Sequence, residues 1–418
     1  MEKHFGYKNA YNGRLFLLCW IAYFSTYICR LNFSAVMPKL LGSGAFTQSE
    51  TAAVSSAFFI CYGAGQLFSG VLCDKISARL LIFAGVLFSG LSNLFIFLFS
   101  ESYTALLVLW ALNGIAQSLV WAPVLKLAGD YYNEGEKVKF GVDISTTVPL
   151  GTLASYGVSL VTLLFAEWRY VFAVCGALVI IAAVYWFIGT SGLKKIPKAE
   201  NRMDEAIQTA PTAVSGKKLV KILLISGTAA LMIPIAIQGT LKDSVTQWIP
   251  TFLEGNYNMG TSLSLLLTMV LPVINVTGAY LAKALNKKLK NELATSAAFF
   301  GIAAAFLILL MTAGTKSAVL ALICMAGITN SMFAINVMLI TIVPLHFSKY
   351  GRTGTVGGLL NAVAYIGCGL LNMGAGAILE TDDGWRALFI LWLALAAAAA
   401  IITILCVKPW KKFTQAQD

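Results

Sequence analysis

Long apolar runs alternate with short polar stretches along almost the whole chain. A run of about 18 or more apolar residues is long enough to cross a bilayer as a helix. Such runs lie at 15–37, 52–72, 79–99, 104–126, 141–165, 169–190, 220–247, 262–282, 293–312, 317–343, 354–379 and 386–407. The pattern predicts an all-α integral membrane protein with twelve transmembrane helices.

One polar stretch, 191–218, is much longer than the others and is rich in lysine. It follows the sixth apolar run, and its polar composition is typical of a connecting segment. We therefore predict two pseudo-symmetric six-helix bundles. The first covers 1–190, residues 191–218 are a cytoplasmic connector, and the second bundle with its tail covers 219–418.

Lysine and arginine are distributed very unevenly over the predicted loops. Of the 30 basic residues, 24 lie on the side that holds both termini, four lie on the other side, and Arg30 and Lys242 lie within spans. Because basic loops stay in the cytoplasm, we predict a multi-pass protein of the cytoplasmic membrane with both termini inside. The net charge of +11 largely reflects this topology, so we expect no nucleic-acid partner.

The composition agrees with a chain dissolved in lipid, since 58% of residues are hydrophobic and only 12% are charged. Two histidines and eight scattered cysteines give no metal-ligand pattern, and no phosphate-binding G-x-x-x-x-G-K-[ST] loop occurs. We expect no cofactor, no metal and no enzymatic activity, because no nucleophile and base stand together. The dense glycines of span eleven predict close helix packing.

The two predicted halves repeat each other. Arg30 stands eight residues before Pro38, and Lys242 stands eight residues before Pro250. Two further motifs match in the same order, after spans two and eight and at the start of spans six and twelve. A parallel duplication of this kind is typical of carriers, and it predicts a substrate cavity between the halves near the bilayer midplane.

Arg30 and Lys242 are the candidate anion-binding residues. A cation inside a bilayer is costly, by about 2.5–3.5 kcal/mol on insertion scales, so it normally faces a wet cavity or a partner. Arg30 offers a planar fork to a phosphate or carboxylate, and Lys242 offers a point charge. The alternative is internal neutralisation by Asp143 or Asp243. Asp243 directly follows Lys242 and points about 100° away on a helix, which hinders direct pairing.

Further polar and aromatic residues in the spans are candidate substrate contacts. Tyr23, Tyr27 and Arg30 share one helix face, with Asn32 close by in sequence. For the tyrosines, packing is as good an explanation as substrate contact. The remaining candidates are Gln117, Trp121, Gln238, Asn361 and Tyr365. For these five, helix-to-helix hydrogen bonding or packing is the competing interpretation.

The stretch from Gly70 to Arg79 resembles the G-x-x-x-D-[RK]-x-x-x-R signature of the major facilitator superfamily. The resemblance implies the two-bundle fold named above. It also implies a gating role for Asp74, Lys75 and Arg79, in which Asp74 accepts hydrogen bonds from a helix end or from Arg79 and holds one conformation closed.

Within that superfamily, Tyr27-Ile-Cys-Arg30-Leu-Asn32-Phe33 resembles the organophosphate:phosphate antiporters. Trp121-Ala-Pro123, Trp248-Ile-Pro250-Thr251-Phe252-Leu253 and Gly354-Thr-Val-Gly-Gly are similar to further stretches of that family. The resemblance implies exchange of a small organic anion with phosphate. Lys242 stands where that family has a second arginine, which implies a different substrate.

Two alternatives to exchange stay open. Arg-x-Asn-x-Ser in span one also resembles the anion:cation symporters, for which Asp143 or Asp243 would take up the coupled proton. A membrane sensor that binds the anion without transporting it is the third possibility. In each case we expect a monomer in membrane lipid whose small anionic substrate is phosphorylated or carboxylated, with phosphate or a proton as its partner ion.

Overall fold

The computed structural model describes residues 10–132, 134–191 and 214–415. All regular structure within these residues is helical, which confirms the all-α fold. The first helices are α1 Ala10–Gly42, α2 Gln48–Lys75, α3 Ala78–Leu98, α4 Tyr103–Tyr131, α5 Glu134–Ser145, α6 Thr147–Phe165 and α7 Arg169–Gly189. The later helices are α8 Gly216–Ile225, α9 Met232–Tyr257, α10 Thr261–Thr268, α11 Leu271–Leu289, α12 Glu292–Thr312, α13 Ala318–Asn336, α14 Thr353–Leu379 and α15 Gly384–Gln415.

Eleven helical segments of the described residues are long and apolar enough to cross a membrane. They correspond to every predicted span except the seventh. The seventh predicted span is broken at Ser226–Leu231, and its main part, α9, is not among the eleven. Its polar residues Gln238, Lys242, Asp243 and Gln247 lower its hydropathy, so the helix with the candidate cation is less apolar than the eleven candidate spans.

The described contacts divide the chain into two compact units. The first comprises Met1–Val36 with Ala64–Ala210, and the second comprises Met37–Gly63 with Pro211–Asp418. This division differs from the predicted halves because 37–63 groups with the second unit. The predicted boundaries at 190 and 218 stay a prediction.

In the first unit, α3 packs closely against α4 and α7. Gly90 on α3 and Gly176 on α7 allow this approach, since a Cβ on Gly176 would lie 2.8 Å from the backbone oxygen of Gly90. Because both residues lack a side chain, the two helix backbones come close enough to make van der Waals contacts, which favour helix association in lipid. The polar face of α3, with Ser89 and Asn93, is buried in the interior of this unit.

In the second unit, α9 packs against α14, and α12 against α15. Gly239 on α9 allows the first contact, because a Cβ there would lie 2.3 Å from the backbone oxygen of Ala364. Gly369 and Gly376 on α14 meet α2 in the same way, at Ser56 and Ala52. The prediction that the glycines of span eleven serve close packing is confirmed at these positions.

Helix irregularities mark where the backbone bends. α1 has non-helical angles at Cys29, with φ −91° and ψ 17°, immediately before Arg30. After α13 the chain continues as a π-helical segment, Val337–Ile342, and a 3-10 segment, Val343–Tyr350. A bend of this kind releases backbone groups that other helices must then satisfy.

Candidate functional site

Arg30 lies in the interior of the first unit, with 9% of its surface exposed. Its Nε donates a hydrogen bond of 2.9 Å to Oε1 of Gln117 on α4. Its guanidinium carbon lies 4.7 Å from the ring centroid of Tyr27, one turn earlier on α1. Two neighbours therefore set the position of the guanidinium plane, one from its own helix and one from α4.

The bend at Cys29 explains how Gln117 comes to face Arg30. The released backbone oxygen of Cys29 accepts from the side-chain amides of Asn113, at 2.7 Å, and Gln117, at 3.1 Å. The preceding oxygen, that of Ile28, accepts from Ser155 at 3.0 Å. Because the amide nitrogen of Gln117 is directed to Cys29, its oxygen must face a donor, and that donor is Arg30.

Ser89 on α3 completes the amide network. It donates to Asn113 at 2.6 Å, and the amide of Gln117 reaches its hydroxyl at 3.2 Å. Asn113, Gln117 and Ser89 are all buried. Buried polar groups without partners are costly, so this mutually satisfied set holds one arrangement of α1, α3 and α4 around Arg30.

Aromatic rings extend from Arg30 along the same face of α1. Tyr23 lies edge to face with Tyr27, at a centroid distance of 5.7 Å, and Tyr23 meets Trp121 on α4 at 4.8 Å. The structure thus brings together Tyr23, Tyr27, Arg30, Gln117 and Trp121, all predicted as candidates from the sequence. Rings of this kind combine apolar surface with a polar tip, which suits a wall that contacts an amphipathic solute.

Asn32 does not belong to this group. It is fully buried and donates to Asn93 on α3 at 2.8 Å, and Asn93 donates to the backbone oxygen of Ser89 at 3.0 Å. Two positions beyond Arg30 on a helix, its side chain points to the opposite side of α1. The structure places Asn32 in the contact of α1 with α3.

Lys242 lies on α9 in the second unit. Its Nζ is 3.4 Å from Oδ2 of Asp243, and the two side chains are 20% and 25% exposed. The expectation that adjacent positions hinder pairing is wrong, because the long lysine stem turns toward its neighbour. Nζ also lies 5.4 Å from the ring centroid of Tyr365 on α14, within the range of a cation–π contact.

The other candidates of the second unit lie on the helices around Lys242. Tyr365 packs edge to face against Tyr62 on α2, at 4.6 Å between centroids. Asn361 lies half-buried one turn before Tyr365. Gln238 is buried one turn before Lys242 and donates to the backbone oxygen of Met332 at 3.0 Å. That bond is the helix-to-helix contact named as the alternative to ligand binding.

Asp143 and the gating residues lie at helix ends of the first unit. Asp143 pairs with Lys139, one turn earlier on α5. Lys75 is exposed at the end of α2, and the side chain of Asp74 lies outside the described residues. Arg79 donates to Thr190 at 2.8 Å and to the backbone oxygen of Phe187 at 2.7 Å. A cation at the C-terminus of α7 complements the helix dipole, so Arg79 joins α3 to α7.

A polar node around Asn372 was not predicted from the sequence. This fully buried residue of α14 accepts from Ser244 at 2.8 Å and from Trp248 at 2.9 Å. Gln247, which directly precedes Trp248, donates to Ser55 of α2. Ser244 and Trp248 lie one turn apart on α9, and this spacing indicates that they can share a hydrogen-bond partner. The sequence alone does not identify that partner as Asn372.

Several known proteins are similar to this chain in sequence or in fold. Residues 19–372 match the Major Facilitator Superfamily. The chain is 22% identical over 422 residues to a probable hexose phosphate transport protein of Chlamydia muridarum strain MoPn/Nigg, across 96% of this chain and 91% of that protein. It is 26% identical over 171 residues to the membrane sensor protein UhpC of Escherichia coli strain K12, across 41% of this chain and 39% of the sensor. The crystal structure of a D-xylose-proton symporter matches with a TM-score of 0.73 at 14% identity, over 94% of this chain and 97% of the symporter, and shows a shared fold.

Proposed function

The chain belongs to the Major Facilitator Superfamily, and we propose that it is a secondary active transporter of a small organic anion. It is a multi-pass membrane protein of a family whose similar members reported above are carriers and a sensor rather than enzymes. We place it in the cytoplasmic membrane with both termini inside, as the distribution of basic residues indicates.

The substrate class we propose is an organic phosphate, with a carboxylated anion as the alternative. The similarity to a probable hexose phosphate transport protein supports the phosphate. The single observation that carries the proposal is Arg30, a guanidinium buried in a membrane span and oriented by Gln117 and Tyr27. A guanidinium matches the oxygens of a phosphate group in geometry and charge.

We propose that Lys242 binds the same anionic group. The repeat in the sequence supports this role, because it puts Arg30 and Lys242 at equivalent positions of spans one and seven. Transport then follows alternating access of the site to the two membrane faces, with inorganic phosphate as the exchanged ion. Exchange follows if the site resists reorientation while no anion is bound to it.

The gating role of Asp74, Lys75 and Arg79 is part of this proposal. Arg79 supports it by holding the start of α3 to the end of α7. Movement of α2 against that fixed point would open or close the site. Asp74→Asn should slow transport more than it weakens binding, whereas an equal loss of both would indicate misfolding.

Uptake into proteoliposomes tests the function. Vesicles preloaded with inorganic phosphate are exposed to a panel of radiolabelled phosphorylated and carboxylated solutes. We expect uptake of an organic phosphate that depends on internal phosphate. Folded protein that takes up no solute of the panel, with or without internal phosphate or a proton gradient, would contradict the proposal.

Proton-coupled symport is the second candidate. It is favoured by the carboxylate of Asp243 beside Lys242 within a span, since an intramembrane acid is a common proton carrier. In the same vesicles, uptake driven by an imposed pH gradient without internal phosphate would identify this mode.

A non-transporting sensor is the third candidate, and the similarity to UhpC favours it. A sensor would bind the organic anion with no flux across the vesicle membrane. Binding measured on the same protein preparation as uptake therefore separates the two functions.

A further inference from the structure

The ammonium of Lys242 has a carboxylate partner on its own helix. Nζ of Lys242 lies 3.4 Å from Oδ2 of Asp243, and the ring of Tyr365 borders the same ammonium at 5.4 Å. Between a fifth and a quarter of each charged side chain is exposed, so the pair is not sealed within the protein. A solute that reaches Lys242 therefore meets a cation with an anion already beside it.

We propose that Asp243 is an internal counter-ion that competes with the substrate's anionic group for Lys242 and thereby lowers the affinity of the site. This inference rests on the proposed function, because it assumes that Lys242 takes part in anion binding. It adds a residue that sets the affinity of the proposed anion site without contacting the anion.

The competition follows from the shared cation. A carboxylate at 3.4 Å neutralises most of the field that Lys242 presents to an approaching anion. The incoming group must either displace Asp243 or accept its repulsion. The apparent affinity is reduced by the fraction of time that Lys242 spends with Asp243, as for any protein whose competent state is only partly populated.

The charge of the anion sets how readily it displaces Asp243. A phosphate monoester carries a charge of about −1.5 to −2 at neutral pH, and a monocarboxylate carries −1. The attraction of an anion to Lys242 grows with its charge, while the attraction of Asp243 to Lys242 stays the same. A dianion therefore displaces the carboxylate of Asp243 at a lower concentration than a monoanion does, while the cost of the displacement itself is the same for both.

Calorimetric binding of inorganic phosphate to the purified full-length protein tests the competition. Asp243→Asn keeps the size of the side chain and removes its charge, Asp243→Glu keeps the charge, and Asp382→Asn removes an exposed carboxylate of the same unit as a control. We expect Asp243→Asn to lower the Kd of phosphate at least about fivefold, the lower range of coupling between sites. Asp243→Glu and Asp382→Asn should stay within about twofold of the parent. An unchanged or higher Kd in folded Asp243→Asn would overturn the inference.

The same variants test whether the competition is shared by all anions. Because acetate and phosphate compete with the same carboxylate for Lys242, Asp243→Asn should lower both Kd values by a similar factor and leave their ratio as in the parent. A lower Kd for only one of the two anions would mean that Asp243 is not a common competitor, which also overturns the proposal.

A measurement without substrate separates this inference from the proposed function. In Lys242→Cys, an anionic and a cationic methanethiosulfonate reagent compete for the new thiol, and protein without that cysteine gives the background. If the carboxylate of Asp243 makes the electrostatic potential at this position more negative, the additional Asp243→Asn substitution raises the reaction rate of the anionic reagent relative to that of the cationic reagent. A raised rate, together with a parent protein that binds no phosphate, would contradict the proposed function and support the counter-ion. An unchanged rate, together with a parent protein that binds phosphate, would overturn the counter-ion and leave the proposed function standing.

Discussion

The surroundings of Arg30 and of Lys242 differ although the two residues occupy equivalent positions in the sequence repeat. Arg30 follows a bend in α1 and is oriented by an amide of α4, which is itself held by the backbone oxygen of Cys29. Lys242 lies on a continuous helix beside the carboxylate of Asp243. The repeat thus preserves the position of the cation and not the way in which it is held.

This difference separates two roles. A fork with five N–H donors gains from a fixed plane, because both oxygens of a bound anion must meet it at once. A lysine is a point charge on a flexible stem, and its contribution depends on which anion is nearest. We therefore expect binding to be sensitive to geometry at Arg30 and to charge at Lys242.

Replacing each cation by the other type, arginine by lysine and lysine by arginine, should give the largest difference in phosphate affinity between the two positions. Arg30→Lys loses the fork and the bond to Gln117, and should raise the Kd of inorganic phosphate by about tenfold to a hundredfold. Lys242→Arg keeps the charge and should change the Kd by less than about threefold, or favour phosphate further. Calorimetry on both purified variants gives the two values. Equal losses in the two variants would show that both cations act only as charges.

A counter-ion placed beside Arg30 should have the next largest effect. Gln117→Glu gives Arg30 the kind of partner that Lys242 already has, and should raise the Kd of phosphate about tenfold. Gln117→Met, the matched uncharged variant, removes the positioning bond and should raise the Kd about threefold. It should also lower thermal stability, because the oxygen of Cys29 loses a donor. A smaller effect for Gln117→Glu than for Gln117→Met would contradict the role of charge here.

Removing the ring beside Lys242 has the smallest expected effect. A cation–π contact of a partly exposed ammonium contributes about 0.5–1 kcal/mol, so Tyr365→Leu should raise the Kd of phosphate about two- to fivefold. Tyr365→Phe keeps the ring and should bind like the parent. If Tyr365→Phe binds as weakly as Tyr365→Leu, the hydroxyl matters and not the ring.

The sequence predicts the spans well because hydropathy over some twenty residues averages out local detail. It also marks Arg30 and Lys242 as candidate anion-binding residues, since charge within a span is rare and costly. Their role in binding stays a prediction. The bend at Cys29 was not predictable, as neither proline nor glycine marks it. It depends on donors that arrive from α4 and α6.

The Lys242–Asp243 pair shows a different limit. Helix geometry separates adjacent side chains at Cβ, but a lysine has four further rotatable bonds, and its rotamer depends on neighbours such as Tyr365. The node at Asn372 was not predicted for a related reason. Its hydrogen-bond partners lie on another helix, so they can be identified only when the packing of the two helices is known. The local sequence pattern thus predicts the helices, whereas the partners of individual side chains can be assigned only from the tertiary structure.

The most direct test of the account is phosphate binding by Arg30→Gln and Lys242→Gln, measured by calorimetry on purified protein whose folding is verified by thermal unfolding. The account predicts that both variants unfold cooperatively like the parent and bind inorganic phosphate too weakly to detect. Parent-like affinity in both folded variants would contradict it and would mean that the anion site lies elsewhere.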